Sequence, residues 1–188
     1  MGKHWRFRKK EDEYPFEKNL EGNQISLIEE GREEMGMRAE FVNPFLEATV
    51  SVLKTMASLE VVPGRPFIKK DSSACGDVSG IVGITGETEG SLCITFSRDC
   101  ILQVFSTWFG EEAKEINAEV KDAVGELTNM ISGDSRRRLQ EVGFTFHGSV
   151  PSVISGPGHE VKHITRSPIL SIPFTLNGNG FVVEVCFK

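Results

Sequence analysis

The sequence predicts an α+β domain in which long helices pack on a mainly antiparallel β-sheet. Two segments, 40–61 and 117–141, repeat apolar residues at helical spacing. Between them, two β-rich runs flank the glycine-bounded turn Gly86 to Gly90, which is typical of an antiparallel hairpin. Further strand-like runs follow the second helix, at 143–150, 169–176 and 181–187, and the last two are separated by the turn sequence NGNG.

The composition indicates one globular domain without a nucleic-acid partner. The chain has 188 residues, 39% of them hydrophobic, which is enough to bury one core. Its 21 basic and 27 acidic residues give a net charge of −6, and this acidic balance argues against binding to a phosphate backbone. No apolar run approaches the length that spans a membrane, so we expect no membrane attachment.

The cysteines and the first residues favour a cytoplasmic location. The four cysteines have no CxxC spacing and no dense framework, so neither a structural zinc site nor a disulfide scaffold is indicated. The basic start MGKHWRFRKK turns acidic without the apolar stretch that a signal peptide requires. We therefore expect buried, reduced thiols in the cytoplasm.

Residues 1–36 differ from the rest of the chain. They are highly charged, and neither a helical nor a strand period is sustained over a useful length. We expect a mobile leader, which is a native extension, a remnant of a cloning vector or a misassigned start. The patterned domain is expected to run from Met37 to the carboxyl terminus, over residues 37–188.

The helix boundaries are predicted from capping residues. Asn43 is the expected N-cap of the first long helix, with Pro44 at its first position. A short helix is expected after the hairpin, capped by Ser97 and ended by Gly110. The second long helix is predicted over 117–141. The order of helices and strands indicates two pseudo-repeated halves, each with one long helix.

The second long helix carries an unusual group of polar residues. At about 100° per residue, its apolar residues form one arc, and Glu126 and Asn129 lie away from that arc. Because they are three residues apart, the two side chains can reach the same external target. Asp122, Gly125 and Gly133 flank them, and the glycines would let a partner approach the helix closely. The alternative is that both are ordinary solvated residues, as most exposed polar positions on helices are.

Three stretches in this order resemble a known family. GITGETEGSLCITFS, AVGELTNMISG and PSVISG are similar to the CheX branch of the CheC, CheX and FliY chemotaxis phosphatases. The resemblance extends from about Met37 to the carboxyl terminus and implies the CheC-like fold. CheC-like members carry a Glu-x-x-Asn pair on both long helices, and CheX-like members carry it once. Here the first helix has Ser51 and Lys54 at the matching positions, which agrees with the CheX type.

The resemblance implies hydrolysis of the aspartyl phosphate on the response regulator CheY or a CheY-like receiver domain. Glu126 and Asn129 match the catalytic pair of the family. Asn129 would orient the attacking water, and Glu126 would pair with the active-site lysine of the regulator. Mg²⁺ would be held by the regulator, so no metal or other cofactor is expected on this chain. The alternative is a module that binds a receiver domain or a flagellar switch component without catalysis.

A dimer is expected from the same resemblance. The run FVVEVCF at 181–187 is a plausible edge strand, and an unprotected sheet edge favours pairing with a second copy.

One further motif suggests different chemistry. HEVKH at 159–163 matches the HExxH pattern of zinc proteases, which requires both histidines on one face of a helix. SGPG precedes it and a proline follows shortly after, so a helix is not expected there. We therefore predict no zinc site.

Overall fold

The computed structural model describes residues 39–69 and 74–188, which form three helices and one antiparallel sheet. The predicted leader at 1–36 lies outside the described residues. The helices are α1, Ala39–Ala57; α2, Arg98–Phe109; and α3, Ala118–Glu141. The strands are β1, Val62–Pro63; β2, Phe67–Lys69; β3, Val78–Gly86; β4, Gly90–Phe96; β5, Phe146–Gly148; β6, Ser152–Ser155; β7, Ile169–Leu176; and β8, Asn179–Phe187. The predicted α+β class is confirmed.

The sheet is arranged as two interlocked halves. The strand order is β1-β7-β8-β4-β3-β5, with β2 also paired to β7 and β6 also paired to β3. Each half therefore sends its two short strands to the long hairpin of the other half, and β4 and β8 pair at the centre. This symmetry supports the predicted pseudo-repeat. The prediction that 181–187 is an edge strand is wrong, because β8 lies between β7 and β4.

Both predicted hairpins form where expected. β3 and β4 pair in register from Val78 with Phe96 to Ile84 with Gly90. The β7–β8 turn places Asn177 and Gly178 at φ 49° and 86°. A two-residue turn with two positive φ values matches the right-handed twist of the strands, and asparagine and glycine tolerate that conformation best.

The first helix begins earlier than its capping pattern predicted. Asn43 is not the N-cap, because α1 already includes Ala39 and contains Pro44 in its interior. Proline has no N–H, so it cannot donate to the carbonyl of residue 40, but it fits the φ angle of a helix. The Ser97 and Gly110 caps of α2 are confirmed: Ser97 Oγ accepts from the Cys100 N–H at 3.4 Å, and Gly110 has a φ of 73°.

The helices cover one face of the sheet, and the connection between β6 and β7 covers part of the other. The core on the helix face is made of buried aliphatic and aromatic side chains from all three helices and the four long strands. On the opposite face, the strands carry small polar residues and the buried Glu184. No helix in the described ranges is both long enough and apolar enough to cross a bilayer.

The cysteines agree in part with the prediction. None of the four is in a disulfide; Cys93, Cys100 and Cys186 are buried, whereas Cys75 is only half-buried. Burial, reinforced by the nearby Glu184 carboxylate, raises the pKa of Cys93 to about 12. Burial also raises the pKa of Cys100 to about 12. Both side chains are therefore neutral thiols at physiological pH.

Candidate functional site

The site is built on α3, which is fixed at its start and along two of its faces. The Asn117 side chain caps the helix by accepting from the Val120 N–H at 2.9 Å. One face is apolar and fully buried against α1 and the sheet, as at Val124, Leu127 and Ile131. A second face carries small polar residues that are also fully buried, namely Thr128, Ser132 and Ser135. Only the third face of the helix is left for solvent.

Glu126 and Asn129 lie on this third face, and both side chains are exposed. They are one turn apart, so their ends can reach a common target. Within the part of the chain that the structure describes, neither side chain has a hydrogen bond or an ion pair with another residue. The predicted orientation is thus confirmed. A carboxylate that only accepts hydrogen bonds and a carboxamide that both donates and accepts are presented together to an incoming molecule.

The three flanking residues have different environments. Asp122 is exposed, one turn before Glu126. Gly133 is half-buried, and a methyl group at that position would meet no atom closer than 3.9 Å, at Arg136. At Gly125 a methyl group would lie 3.4 Å from Val153 of β6. A methyl group at Gly125 would therefore make an ordinary van der Waals contact with β6, whereas the space above Gly133 is open.

A close contact beneath α3 was not predicted from the sequence. Gly80 of β3 faces Thr128, and a methyl group at Gly80 would overlap the Thr128 hydroxyl and lie 3.0 Å from its Cβ. Further along the helix, Arg136 lies over Gly148 of β5, where a methyl group would be 3.0 Å from the guanidinium carbon. We call these two contacts the glycine seat of α3. A glycine inside a strand can itself indicate close backbone approach, and that signal was available at Gly80.

The basic run near the end of α3 is paired within the chain. Arg137 and Arg138 bind Asp134 at 2.7 and 2.9 Å, and Arg138 also reaches Glu47 of α1 at 2.6 Å. Partial burial alone would raise the pKa of Asp134, but hydrogen bonds from the two arginines hold it below its ordinary value. These charges therefore hold the end of α3 to α1.

The matching positions on α1 do not reproduce the pair. Ser51 is half-buried, and Lys54 is exposed and lies 3.9 Å from Glu60. Since neither a carboxylate nor a carboxamide stands there, the combination found on α3 is not repeated on α1.

HEVKH is not helical, as predicted. His159 Nε2 lies 2.7 Å from Ser79 Oγ, and His163 Nδ1 lies 2.9 Å from Ser91 Oγ. The two histidines thus hold their segment against different strands. The described residues contain no group of three or more His, Cys, Asp or Glu side chains that could hold a metal ion.

Comparison with known proteins identifies the class. The family model described as chemotaxis phosphatase CheX matches residues 78–175. The CheY-P phosphatase CheX of Thermotoga maritima is 28% identical over 141 residues, which are 74% of this chain and 90% of the relative. The fold and these matches define a phosphatase, which is a hydrolase. The chain belongs to the CheX family of chemotaxis phosphatases.

Solved structures agree with this family. The CheX structure from Desulfovibrio desulfuricans has a TM-score of 0.74 and 48% identity, and the match covers 79% of this chain and 99% of that one. The CheX–CheY–BeF₃–Mg²⁺ complex from Borrelia burgdorferi has a TM-score of 0.69 and 30% identity, covering 80% and 99%. The predicted resemblance and the CheC-like fold are confirmed.

Proposed function

We propose that this protein hydrolyses the aspartyl phosphate of CheY or a CheY-like receiver domain, with Glu126 and Asn129 entering the partner's active site. The observation that carries the proposal is the exposed pair on α3, which has no partner among the described residues. The CheX of B. burgdorferi forms a complex with CheY and Mg²⁺, which supports this choice of partner. Asp122, Gly125 and Gly133 would border the docked surface.

Asn129 would act by orienting water. An acyl phosphate is already activated toward hydrolysis, so placing a water molecule in line with the phosphorus accelerates the reaction without a strong base. The carboxamide of Asn129 can accept a hydrogen bond from that water and donate one to a phosphoryl oxygen. Its exposed position on a fixed helix allows it to enter a pocket of another protein.

Glu126 would act by docking. A carboxylate next to a phosphoryl group repels it, which argues against Glu126 as a general base for the attacking water. Pairing with a lysine of the receiver domain would neutralise this charge and orient the two surfaces. Mg²⁺ would be held by the carboxylates of the receiver, which the CheX–CheY–BeF₃–Mg²⁺ complex from B. burgdorferi supports.

Replacing Glu126 by glutamine is expected to weaken docking. Loss of a charge-assisted hydrogen bond should raise the dissociation constant roughly tenfold or more. The constant is measured by titration against the Mg²⁺-bound receiver domain carrying beryllium fluoride. Glu160→Gln is the control, because Glu160 is an exposed carboxylate in the connection between β6 and β7, away from α3. Equal affinities for the Glu126 variant and the wild type would contradict this role.

The proposed function is tested with receiver domains from the same organism. Each domain is charged with acetyl phosphate in the presence of Mg²⁺, and release of inorganic phosphate is followed with and without this protein. Faster release from one domain supports the proposal. The alternative, a module that binds receivers or the flagellar switch without catalysis, predicts binding of a domain with no change in its rate of phosphate release.

The cytoplasmic location and the homodimer are also proposed from the family. Pairing of two copies through β8 is not possible, because β8 is not at an edge of the sheet. The short strands β1 and β2 form one edge of the sheet, and β5 and β6 form the other. Light scattering at micromolar concentration should give twice the monomer mass of 20.8 kDa. A monomer mass would contradict the homodimer.

A further inference from the structure

At Gly80, one of the two contacts of the glycine seat, α3 packs so closely on β3 that no β-carbon fits between them. Gly80 lies on the face of β3 that contacts α3, and Thr128 stands directly above it. Both residues are buried, and Thr128 has no exposed surface. Any side chain larger than hydrogen at residue 80 must therefore displace the Thr128 side chain or increase the separation of α3 and β3.

Rotation of the Thr128 side chain cannot resolve such an overlap. Its Oγ1 donates to the Val124 carbonyl at 2.7 Å, which fixes the rotamer. The Thr128 Cβ, which does not move on rotation about χ1, would still lie 3.0 Å from a methyl group at residue 80. This separation is shorter than two carbon atoms tolerate without strain, since their optimal distance is about 3.5–4.0 Å. The Cβ contact alone calls for a shift of a few tenths of an ångström between α3 and β3, and the overlap with the hydroxyl calls for a larger one.

The position of Thr128 connects this contact to the exposed pair. Thr128 directly precedes Asn129 and follows Glu126 by two residues. A helix is stiff over one turn, so a shift of the Thr128 backbone also shifts both side chains on the opposite surface. The second contact of the seat, Arg136 over Gly148, holds the helix two turns later.

We propose that Gly80 and Thr128 form a positioning pair that sets the height of α3 above β3 and thereby the reach of Asn129 into the receiver domain. This inference rests on the proposed function. Neither residue touches the substrate; both act through the backbone of α3. Because a misplacement of about 1 Å can cost on the order of 100-fold in rate, a small change in this contact should reduce turnover strongly.

The inference is tested by a double-mutant cycle of Gly80→Ala and Thr128→Ala. Gly80→Ala alone should lower kcat for receiver dephosphorylation by roughly 10- to 100-fold, with a much smaller change in KM. Thr128→Ala removes the hydroxyl, which would overlap the new methyl group, and the γ-methyl group, and it leaves only the Cβ contact at 3.0 Å. In the Thr128→Ala background, Gly80→Ala should therefore lower kcat by less than about one third of the fold-change that it causes in the wild-type background.

Gly83→Ala is the matched control. Gly83 lies on the same strand but on the opposite face, where a methyl group would meet the flexible end of the Ile164 side chain. This variant should keep the wild-type kcat. If Gly83→Ala and Gly80→Ala lower kcat equally, the positioning role is wrong. It is also wrong if the effects of Gly80→Ala and Thr128→Ala on the logarithm of kcat are additive.

The outcomes separate this inference from the proposed function. If wild-type protein does not accelerate phosphate release from any receiver domain, the proposed function fails. If it does, and folded Gly80→Ala retains the wild-type kcat, only the positioning role fails. Should Gly80→Ala not fold by circular dichroism, Thr128→Val replaces it, because it puts a larger methyl group where the Thr128 hydroxyl packs on Gly80. A folded Thr128→Val variant with wild-type kcat would then overturn the inference.

Discussion

Replacing Asn129 by alanine is expected to abolish accelerated dephosphorylation of the receiver domain while leaving docking largely intact. Asn129 is exposed on α3 and has no partner among the described residues, so its removal leaves no unsatisfied group inside the protein. The free energy of unfolding should therefore change by less than about 0.5 kcal/mol. The lost group would position water only in the transition state, so kcat should fall by roughly 100-fold or more.

The measurement is single-turnover phosphate release from a charged receiver domain, together with a binding titration. Lys54→Ala is the control, because Lys54 occupies the equivalent exposed position on α1. That variant should release phosphate at the wild-type rate. Unchanged release by the Asn129 variant would refute the assignment, and a parallel loss of binding would show that Asn129 docks the partner and does not act in the chemical step.

Replacing Glu184 by alanine is expected to destabilise the fold by about 3–5 kcal/mol, the usual cost of removing one partner from a buried ion pair. Glu184 is 1% exposed and accepts from Lys69 Nζ at 2.6 Å. His163 Nε2 lies 3.4 Å from its other carboxylate oxygen. Removing the carboxylate takes away the charge that Glu184 places against the buried Lys69 ammonium. Urea denaturation at pH 7 measures the loss.

A double variant separates the charge effect from the loss of packing. Lys69→Met with Glu184→Leu removes both charges and keeps apolar volume, and such replacements are often neutral or stabilising. We expect the double variant to recover most of the stability that Glu184→Ala loses. If the double variant is as unstable as Glu184→Ala, the loss of stability comes from packing in this region and not from the lost ion pair with Lys69.

The stability that Glu184 contributes should depend on pH. Burial alone would raise its pKa, but the hydrogen bond from His163 and the charge of Lys69 hold the pKa below the ordinary value. Because the pKa is lower in the folded than in the unfolded protein, the stability that Glu184 contributes is complete above the pKa of an unfolded glutamate, about 4.3. This stability is lost as the pH falls through the folded pKa. The difference in the free energy of unfolding between wild type and Glu184→Ala should therefore shrink as the pH falls from about 5 through the folded pKa of Glu184. A difference in the free energy of unfolding that grows as the pH falls would contradict a lowered pKa of Glu184.

The sequence determined the features of this protein that depend on local spacing. The 3.6-residue period of α3 placed Val124 and Leu127 in the core and left Glu126 and Asn129 in solvent. The Ser97 and Asn117 caps and the Asn177–Gly178 turn were predictable for the same reason, because a cap or a turn is satisfied within a few residues.

The tertiary structure decided how these local pieces are arranged. β8 is central because β4 of the other half pairs with it, a contact between residues about 90 positions apart that no local pattern contains. The same is true of Glu184, whose partner Lys69 is 115 residues away, and of Gly80 beneath Thr128. Spacing along the chain thus identified the side chains that face solvent on α3. Long-range packing determined the sheet that supports the helix, and the height at which Asn129 is held, because both depend on contacts between distant segments.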